Sequence, residues 1–461
     1  MNRNKSTETA KAEPNRPNHQ TIRWDRYEMN LSDYYGTRIE PTGRVLRLVI
    51  DAVNECNLRC RYCHPGEVWR NQQLDATVVQ QALSAAEDAG TLEVVLTGGE
   101  MMMHHQLHAV LDSTQLLRQC ASALITNATL ITSDIARRLS GSNLTRICTS
   151  VDGVTNDLHG SARGKNLPRV LEGLHMLAGT GKPITVITVV HRGNWERVIE
   201  LSKYLAGRKL AAQHHLCAPS YSGQAREHYP ELALREHEFH GVQALVDEHQ
   251  ADLYARGLYL TFNSFWPATG EVPRRTGRTI TLQQLSEQVK DTLCNIRPNG
   301  EFRLQATTWG REMVGNAVLG SVHDQPPRHL LRNAESVLAS GSAMQLPREI
   351  EARHKFQIGT HYETEERQAT DLLISRTGGD VSDVELVPIR SVDKHWALEN
   401  SFDIPKLAAE LKIEPQDRRV LHHPTGVVLV FHRHHSLVTV LRPAEWNAVR
   451  RELASQERQS A

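Results

Sequence analysis

The sequence predicts an α/β protein whose main body is a partial (β/α)6 barrel. Three observations carry this. Between residues 45 and 217, six apolar, strand-like runs alternate with segments of helical periodicity, the pattern of a parallel sheet with crossover helices. A right-handed series of that length curls into part of a barrel. The chemically capable residues also fall just after these runs, where the C-terminal ends of barrel strands would gather them.

The elements are expected in this order. Residues 45–53 form an apolar strand. Residues 75–89 have the 3.6-residue spacing of a helix, with Asp75 or Thr77 placed to cap it. A strand over 93–97 runs into Gly98-Gly99-Glu100. A helix over 106–118, a strand over 121–126 and a helix over 133–139 follow, the last capped by Thr132 or Ser133. The strand over 145–151 ends at Asp152-Gly153. Residues 168–178 read as a helix, the β-branched run 184–191 as a strand, and 194–205 as a helix with Asn194 as its N-cap. Residues 210–217 close the series as the sixth strand.

At 461 residues the chain is long enough for two or three domains. Its formal net charge is zero, which favours neither nucleic acid nor an anionic membrane as partner. No apolar run approaches the length of a membrane span. Residues 1–22 are polar and carry no apolar segment of the signal-peptide kind, so a disordered tail is expected there. The seven cysteines then fit a reducing cytoplasm. Residues 23–225 are expected to be the barrel with its lead-in and 226–325 a helical connection with an extension. Residues 326–350, with Pro326-Pro327, read as a linker. Residues 351–461 read as a small α+β domain, its apolar runs 427–431 and 437–441 forming a hairpin. His422, His423, His432, His434 and His435 cluster around that hairpin, but no cysteine or carboxylate group accompanies them, and solvated loop histidines are the expectation.

The most informative stretch is Cys56-Asn-Leu-Arg-Cys60-Arg-Tyr-Cys63. Three thiolates so close in sequence suit an iron–sulfur cluster. Four cysteines are its usual complement, so a triplet leaves one iron open to bind something other than protein. A zinc site usually shows paired Cys-x2-Cys or Cys/His elements. His64, adjacent to Cys63, reaches the same metal poorly. Disulfides are not expected in a reducing compartment.

With Tyr62 before its last cysteine, this C-x3-C-x2-C run resembles the signature of the radical S-adenosylmethionine superfamily. The resemblance implies an incomplete barrel and an enzyme carrying one 4Fe-4S cluster on Cys56, Cys60 and Cys63. It implies S-adenosylmethionine chelated by the open iron and cleaved by an electron from the cluster, giving a 5′-deoxyadenosyl radical that takes a hydrogen atom from substrate. The electron would come from a flavodoxin- or ferredoxin-type donor. It assigns cofactor contacts to Tyr62 and to Gly98, Gly99 and Glu100, the last binding the methionyl amine. The two glycines are also suited to letting backbone approach a ligand closely. Thr126-Asn127 resembles the family's Thr-Asn-Gly, with Ala128 in place of glycine, and Asn127 either contacts the cofactor or holds the strand end. Ser150 and Asp152 match a Ser-x-Asp-Gly segment that faces the ribose and carboxylate. Arg163 matches an arginine that pairs with the methionyl carboxylate, for which a guanidinium fork is suited. Met101-Met102-Met103 are expected to pack in the core. The segment 187–194 resembles the one flanking the adenine.

Past the barrel, residues 218–225 resemble a Pro-x-Gly-x-Ala element of peptide-modifying branches. Residues 294–302 and 314–319 resemble a degenerate twitch-like extension, with Pro298-Asn299-Gly300 as a turn. Such extensions hold auxiliary clusters in those branches, but no cysteine follows Cys294. Even with Cys217 nearby, two thiolates fall short of a cluster, so a buried remnant is expected at Cys294. The barrel and lead-in are most similar to the GTP cyclase of molybdenum-cofactor synthesis, without the C-terminal cysteines of that family. The expected substrate is therefore a natural-product precursor, as small molecule or as ribosomal peptide. The rival expectation is a non-catalytic iron–sulfur or S-adenosylmethionine-binding sensor or scaffold on the same barrel.

Overall fold

Parallel strands covered on both faces read as continuous apolar runs, and the runs anticipated above become strands of one ten-stranded sheet. The computed structural model describes residues 45–63, 71–219, 224–263, 279–281, 293–304, 318–339, 418–422, 428–432, 437–441 and 443–460. In chain order its elements begin with β1 (Arg47–Val53), α1 (Ala76–Ala89), β2 (Glu93–Gly98), α2 (Leu107–Ser113), β3 (Ala121–Thr126), α3 (Ser133–Gly141) and β4 (Arg146–Ser150). There follow α4 (Asn156–Arg163), α5 (Leu167–Ala178), β5 (Ile184–Val189), α6 (Val198–Arg208), β6 (Gln213–Cys217), α7 (Ala225–Leu232), α8 (Glu236–Ala255) and β7 (Tyr259–Asn263). The rest are β8 (Thr279–Thr281), β9 (Leu293–Ile296), β10 (Glu301–Leu304), β11 (Val318–Ser321), α9 (Pro327–Ala339), β12 (Arg418–His422), β13 (Val428–His432), β14 (Leu437–Leu441) and α10 (Pro443–Ser460).

Strands β1 to β7 lie side by side and parallel, in chain order. On the other side of β1 lies β9, also parallel, and β10 and β11 extend that edge antiparallel. Alternation sorts the side chains onto two faces. Leu48, Ile50, Val94, Leu96, Leu124, Ile147, Val186 and Leu216 face the helices and join the main core. Each such burial contributes about 1.5–3 kcal/mol. Val95, Ala123 and Cys148, with Val49, Ile125 and Ile187 against them, form a second, smaller cluster on the opposite face. At the N-terminal ends of the strands that face carries Glu93, bound by Arg47 at 2.7 Å and by Arg146 at 2.5 Å.

Several expectations change. The barrel gains a seventh parallel strand, β7, whose alternation of tyrosine, threonine and asparagine with apolar residues lacks a continuous apolar run. The helix expected over 106–118 stops at Ser113, because the Ser113 and Thr114 hydroxyls take the carbonyls of Val110 and Leu111. The Glu87 carboxylate then captures the main-chain N–H groups of Arg118, Gln119 and Cys120. Asn194 stands at the N-cap position, but of a 3-10 turn over Trp195–Arg197 and without a side-chain capping bond, and α6 begins only at Val198. Asp75 and Thr132 do cap α1 and α3.

The turn at 298–300 is present between β9 and β10, with Gly300 at φ 83°. Cys294 is fully buried on β9, while Cys217 ends β6, so the two are well separated in the strand order. The stretch expected as a linker contains α9, whose Leu330, Leu331 and Ala334 are buried in the main core. Proline at a helix's first position is well tolerated, so Pro327 opens this helix. The hairpin of β13 and β14 forms as expected, but its sheet has the order β12-β13-β14-β8 and so includes a strand from before residue 326. The tail and lead-in, His64, His423, His434, His435 and residues 340–417 lie outside the described residues.

Candidate active site

The three cysteines lie in the loop that leaves β1. Two glycines set its course. Val53 pairs with Gly98, and a Cβ added at Gly98 or Gly99 would lie 2.2 Å from the carbonyl oxygen of Val53 or of Glu55. That closeness permits two main-chain bonds, Gly99 N–H to the Val53 carbonyl at 2.7 Å and Glu100 N–H to the Glu55 carbonyl at 2.8 Å. What approaches these glycines is the cysteine loop itself. The loop is further held by Leu58 N–H donating to Cys56 Sγ at 3.4 Å and by Arg61 N–H donating to the Ala162 carbonyl at 2.8 Å. Gln224 N–H, just past β6, donates to the Cys63 carbonyl at 2.8 Å.

Cys60 is buried, and Cys56 and Cys63 are half-buried. Burial pushes all three thiols up, that of Cys63 to about 12 with Cys60 and Cys56 adding to the effect. Such a trio stays protonated until a cation compensates it, and metal loading then releases protons. Among the described residues no three Cys, His, Asp or Glu side chains converge on a single-ion position. A cubane takes one thiolate on each of three irons and requires no such convergence. The donor set therefore fits a cluster with one iron lacking a protein ligand.

Glu100 is 1 % exposed. Its Oε1 accepts from Met102 N–H at 3.0 Å and from the Thr126 hydroxyl at 2.6 Å, and its Oε2 accepts from Asn127 N–H at 2.6 Å. Burial raises its pKa and these donors oppose the rise. Met101 and Met102 are buried in the core, as expected, but Met103 is only half-buried. Asn127 holds the cysteine loop: its Nδ2 donates to Asn57 Oδ1 at 2.8 Å and lies 3.8 Å from Cys56 Sγ, while its Oδ1 accepts from the Thr129 N–H and hydroxyl. Asn57 Nδ2 completes the knot on the Thr129 hydroxyl at 2.8 Å.

Asp152, Tyr62 and Arg163 meet. The Tyr62 hydroxyl donates to Asp152 Oδ2 at 2.5 Å, and Arg163 Nη1 donates to the Tyr62 oxygen at 2.9 Å. Burial raises Asp152 to about 6 against the pull of Arg163, the Tyr62 hydroxyl and Val189 N–H. Arg163 is 6 % exposed, and its Nε is buried without a hydrogen-bond partner among the described residues. That N–H is free for an anionic group, and this is the second point of fit: a zwitterion with a carboxylate would satisfy it. Arg163 also acts electrostatically on Cys60, Cys63 and Glu100, so the loop, the β2 end and the β4 end share one site. Ser150 is half-buried on the concave face, paired in register with Ile187.

Several residues here escape a sequence reading. Asn194 pins Asp152: its Nδ2 donates to the carbonyls of Asp152 at 3.2 Å and Val189 at 3.0 Å, and its Oδ1 accepts from His191 N–H at 2.8 Å. On the β1 side, Asn295 Nδ2 donates to Asp51 Oδ2 at 3.1 Å, and Arg297 lies 3.5 Å from the same oxygen. Asn295 pairs in register with Val49, which places it on the concave face. The only sequence signal for this wall is polar residues interrupting apolar strands.

Residues 51–205 match the model of the Radical SAM superfamily. The chain is 27 % identical over 151 residues to a GTP 3',8-cyclase of Clostridium acetobutylicum, covering 32 % of this chain and 48 % of that one. It is 23 % identical over 180 residues to the GTP 3',8-cyclase of Staphylococcus carnosus, covering 36 % and 53 %. The chain thus spans about half the length of these relatives. Among solved structures it is similar to Streptococcus suis SuiB bound to the precursor peptide SuiA, with a TM-score of 0.51 and 18 % identity, covering 63 % of this chain and 65 % of that one.

Proposed function

We infer that this chain, whose residues 51–205 match the radical SAM superfamily model, is an enzyme with one 4Fe-4S cluster on Cys56, Cys60 and Cys63 and S-adenosylmethionine as its second cofactor. When bound and reduced, the pair supplies reductive cleavage of the sulfonium and removal of a hydrogen atom from substrate. The observation that carries the reading is the meeting of the cysteine loop, Glu100 and the Asp152–Tyr62–Arg163 set at one end of the sheet.

The roles proposed for the residues follow their geometry. Arg163 takes the methionyl carboxylate on its Nε, which has no hydrogen-bond partner among the described residues. Glu100 has three acceptor positions filled by the protein, which leaves one for the methionyl amine. Asp152 and Ser150 face the ribose, and Tyr62 ties Asp152 to Arg163. Gly98, Gly99 and Asn127 act by fixing the cysteine loop. The substrate would lie against the polar wall of Asp51, Asn295 and Arg297, which suits a polar natural-product precursor. A ribosomal peptide is the form supported by the fold likeness to a protein crystallised with a precursor peptide. The GTP-cyclising activity of the relatives is not carried over, since residues 295–461 hold no cysteine for a second cluster.

The test is anaerobic reconstitution, reduction with a flavodoxin or dithionite, and incubation with S-adenosylmethionine. The expected products are 5′-deoxyadenosine and methionine, absent when Cys56, Cys60 and Cys63 are all changed to alanine. A cluster that binds S-adenosylmethionine but never cleaves it, even with the peptides encoded beside the gene, supports the sensor or scaffold reading instead.

A further inference from the structure

Asp152 and Arg163 are joined by two hydrogen-bonded paths that together close a ring. The front path runs through the Tyr62 hydroxyl. The rear path starts at Asp152 N–H, which donates to His159 Nδ1 at 3.2 Å. His159 Nε2 lies 2.8 Å from Asn166 Oδ1, and Asn166 Nδ2 donates to the Arg163 carbonyl at 2.8 Å. Only one proton arrangement satisfies every member. Nδ1 must be bare to accept from Asp152, so Nε2 carries the proton and donates to Asn166 Oδ1, and this turns the amide nitrogen toward Arg163. His159 is fully buried, so a missed bond on either ring nitrogen finds no water to replace it.

The rear path crosses from the end of β4 to the end of α4. Gly153 lets the chain after β4 pack closely on the first half of α4, where His159 lies, since a Cβ there would lie 2.4 Å from Leu158 Cβ. After Arg163 the chain leaves α4 at Gly164 with φ 84°, so Asn166 holds the Arg163 carbonyl from beyond the helix.

We propose that His159 and Asn166 are positioning residues for S-adenosylmethionine. They set the separation between the Asp152 carboxylate and the Arg163 guanidinium without touching the ligand. The inference rests on the reading of the site given above. Loss of the rear path lets the Arg163 main chain shift relative to Asp152, and the carboxylate-binding Nε moves with it.

The experiment uses the full chain, reconstituted anaerobically, with S-adenosylmethionine as the probe in calorimetric titration. Iron content is measured alongside, and the histidine ring tautomer is read by 15N NMR. His159→Leu keeps the volume and removes both hydrogen bonds; its dissociation constant for S-adenosylmethionine should rise about tenfold with iron content unchanged. His159→Gln can accept with Oε1 and donate with Nε2, and should recover most of the affinity. Asn166→Ala, at a half-buried position that is easier to change, should weaken binding similarly and serves if His159→Leu does not fold. In wild type the His159 signals should be those of bare Nδ1 and protonated Nε2. Wild-type affinity in the folded, iron-loaded variants, or a protonated Nδ1, overturns the proposal. If wild type itself does not bind S-adenosylmethionine, the reading of the site falls and the positioning role falls with it.

Discussion

Ala128 sits at φ 63°, in the left-handed region that costs a non-glycine residue about 1–2 kcal/mol. The chain turns there between Asn127, which holds the cysteine loop, and Thr129, which closes the Asn57 knot. Gly173 packs beneath it: a Cβ on Gly173 would come within 2.0 Å of the Ala128 carbonyl oxygen. Ala128→Gly should relieve the strain at some cost in unfolded-chain entropy, raising stability by about 0.5–1 kcal/mol in urea titrations. A fall in stability would mean that the alanine methyl packs better than its backbone suffers. Asn127→Ala has the opposite sign. It strands the buried Thr129 donors, costing about 1–3 kcal/mol, and it should lower the iron retained after reconstitution, measured by metal analysis.

The glycine pair shows how element geometry decides a role that residue type leaves open. Two glycines before a carboxylate suit either a ligand or a tight crossing, and the β1–β2 register, with Val53 opposite Gly98, makes them a crossing. Gly99→Ala should therefore act on the loop first. Circular dichroism is expected to stay that of the folded barrel while the cluster's visible absorbance falls by half or more; an unchanged cluster would show that the loop can shift without losing its grip. The strands and most helices were legible because a period of 3.6 and runs of apolar residues are local signals. Helix α4, Asn-Asp-Leu-His-Gly-Ser-Ala-Arg, was not: it has few apolar residues and an internal glycine. Arg163 was placed in the site by resemblance alone, and His159 and Asn166 were invisible because their bonds exist only once α4 docks against the end of β4. Likewise α9 hid behind Pro326-Pro327, and β7 behind its polar alternation.

At the scale of the whole molecule, acid stability follows from groups the fold buries. His214 is fully buried between the Thr188 and Ser202 hydroxyls, and burial depresses it to about 3. A histidine so depressed contributes stability above its unfolded value of about 6.5 that is lost as pH falls toward 3, by up to about 1.4 kcal/mol per pH unit. Asp152, raised to about 6, works oppositely: its contribution is present at low pH and is lost as pH rises from about 4 to about 6. In urea titrations between pH 7 and 5, His214→Gln should flatten the decline of stability on acidification, and Asp152→Asn should steepen it. Equal slopes in all three proteins would contradict the buried, neutral histidine. The joining of the cysteine loop to Glu100, Asp152 and Arg163 is the claim on which the functional account depends, and electron paramagnetic resonance of the reduced, reconstituted protein tests it most directly. Adding S-adenosylmethionine should shift the g-values of the cluster signal, and a 17O-labelled methionyl carboxylate should show hyperfine coupling to it. A signal that is identical with and without the ligand would contradict the account.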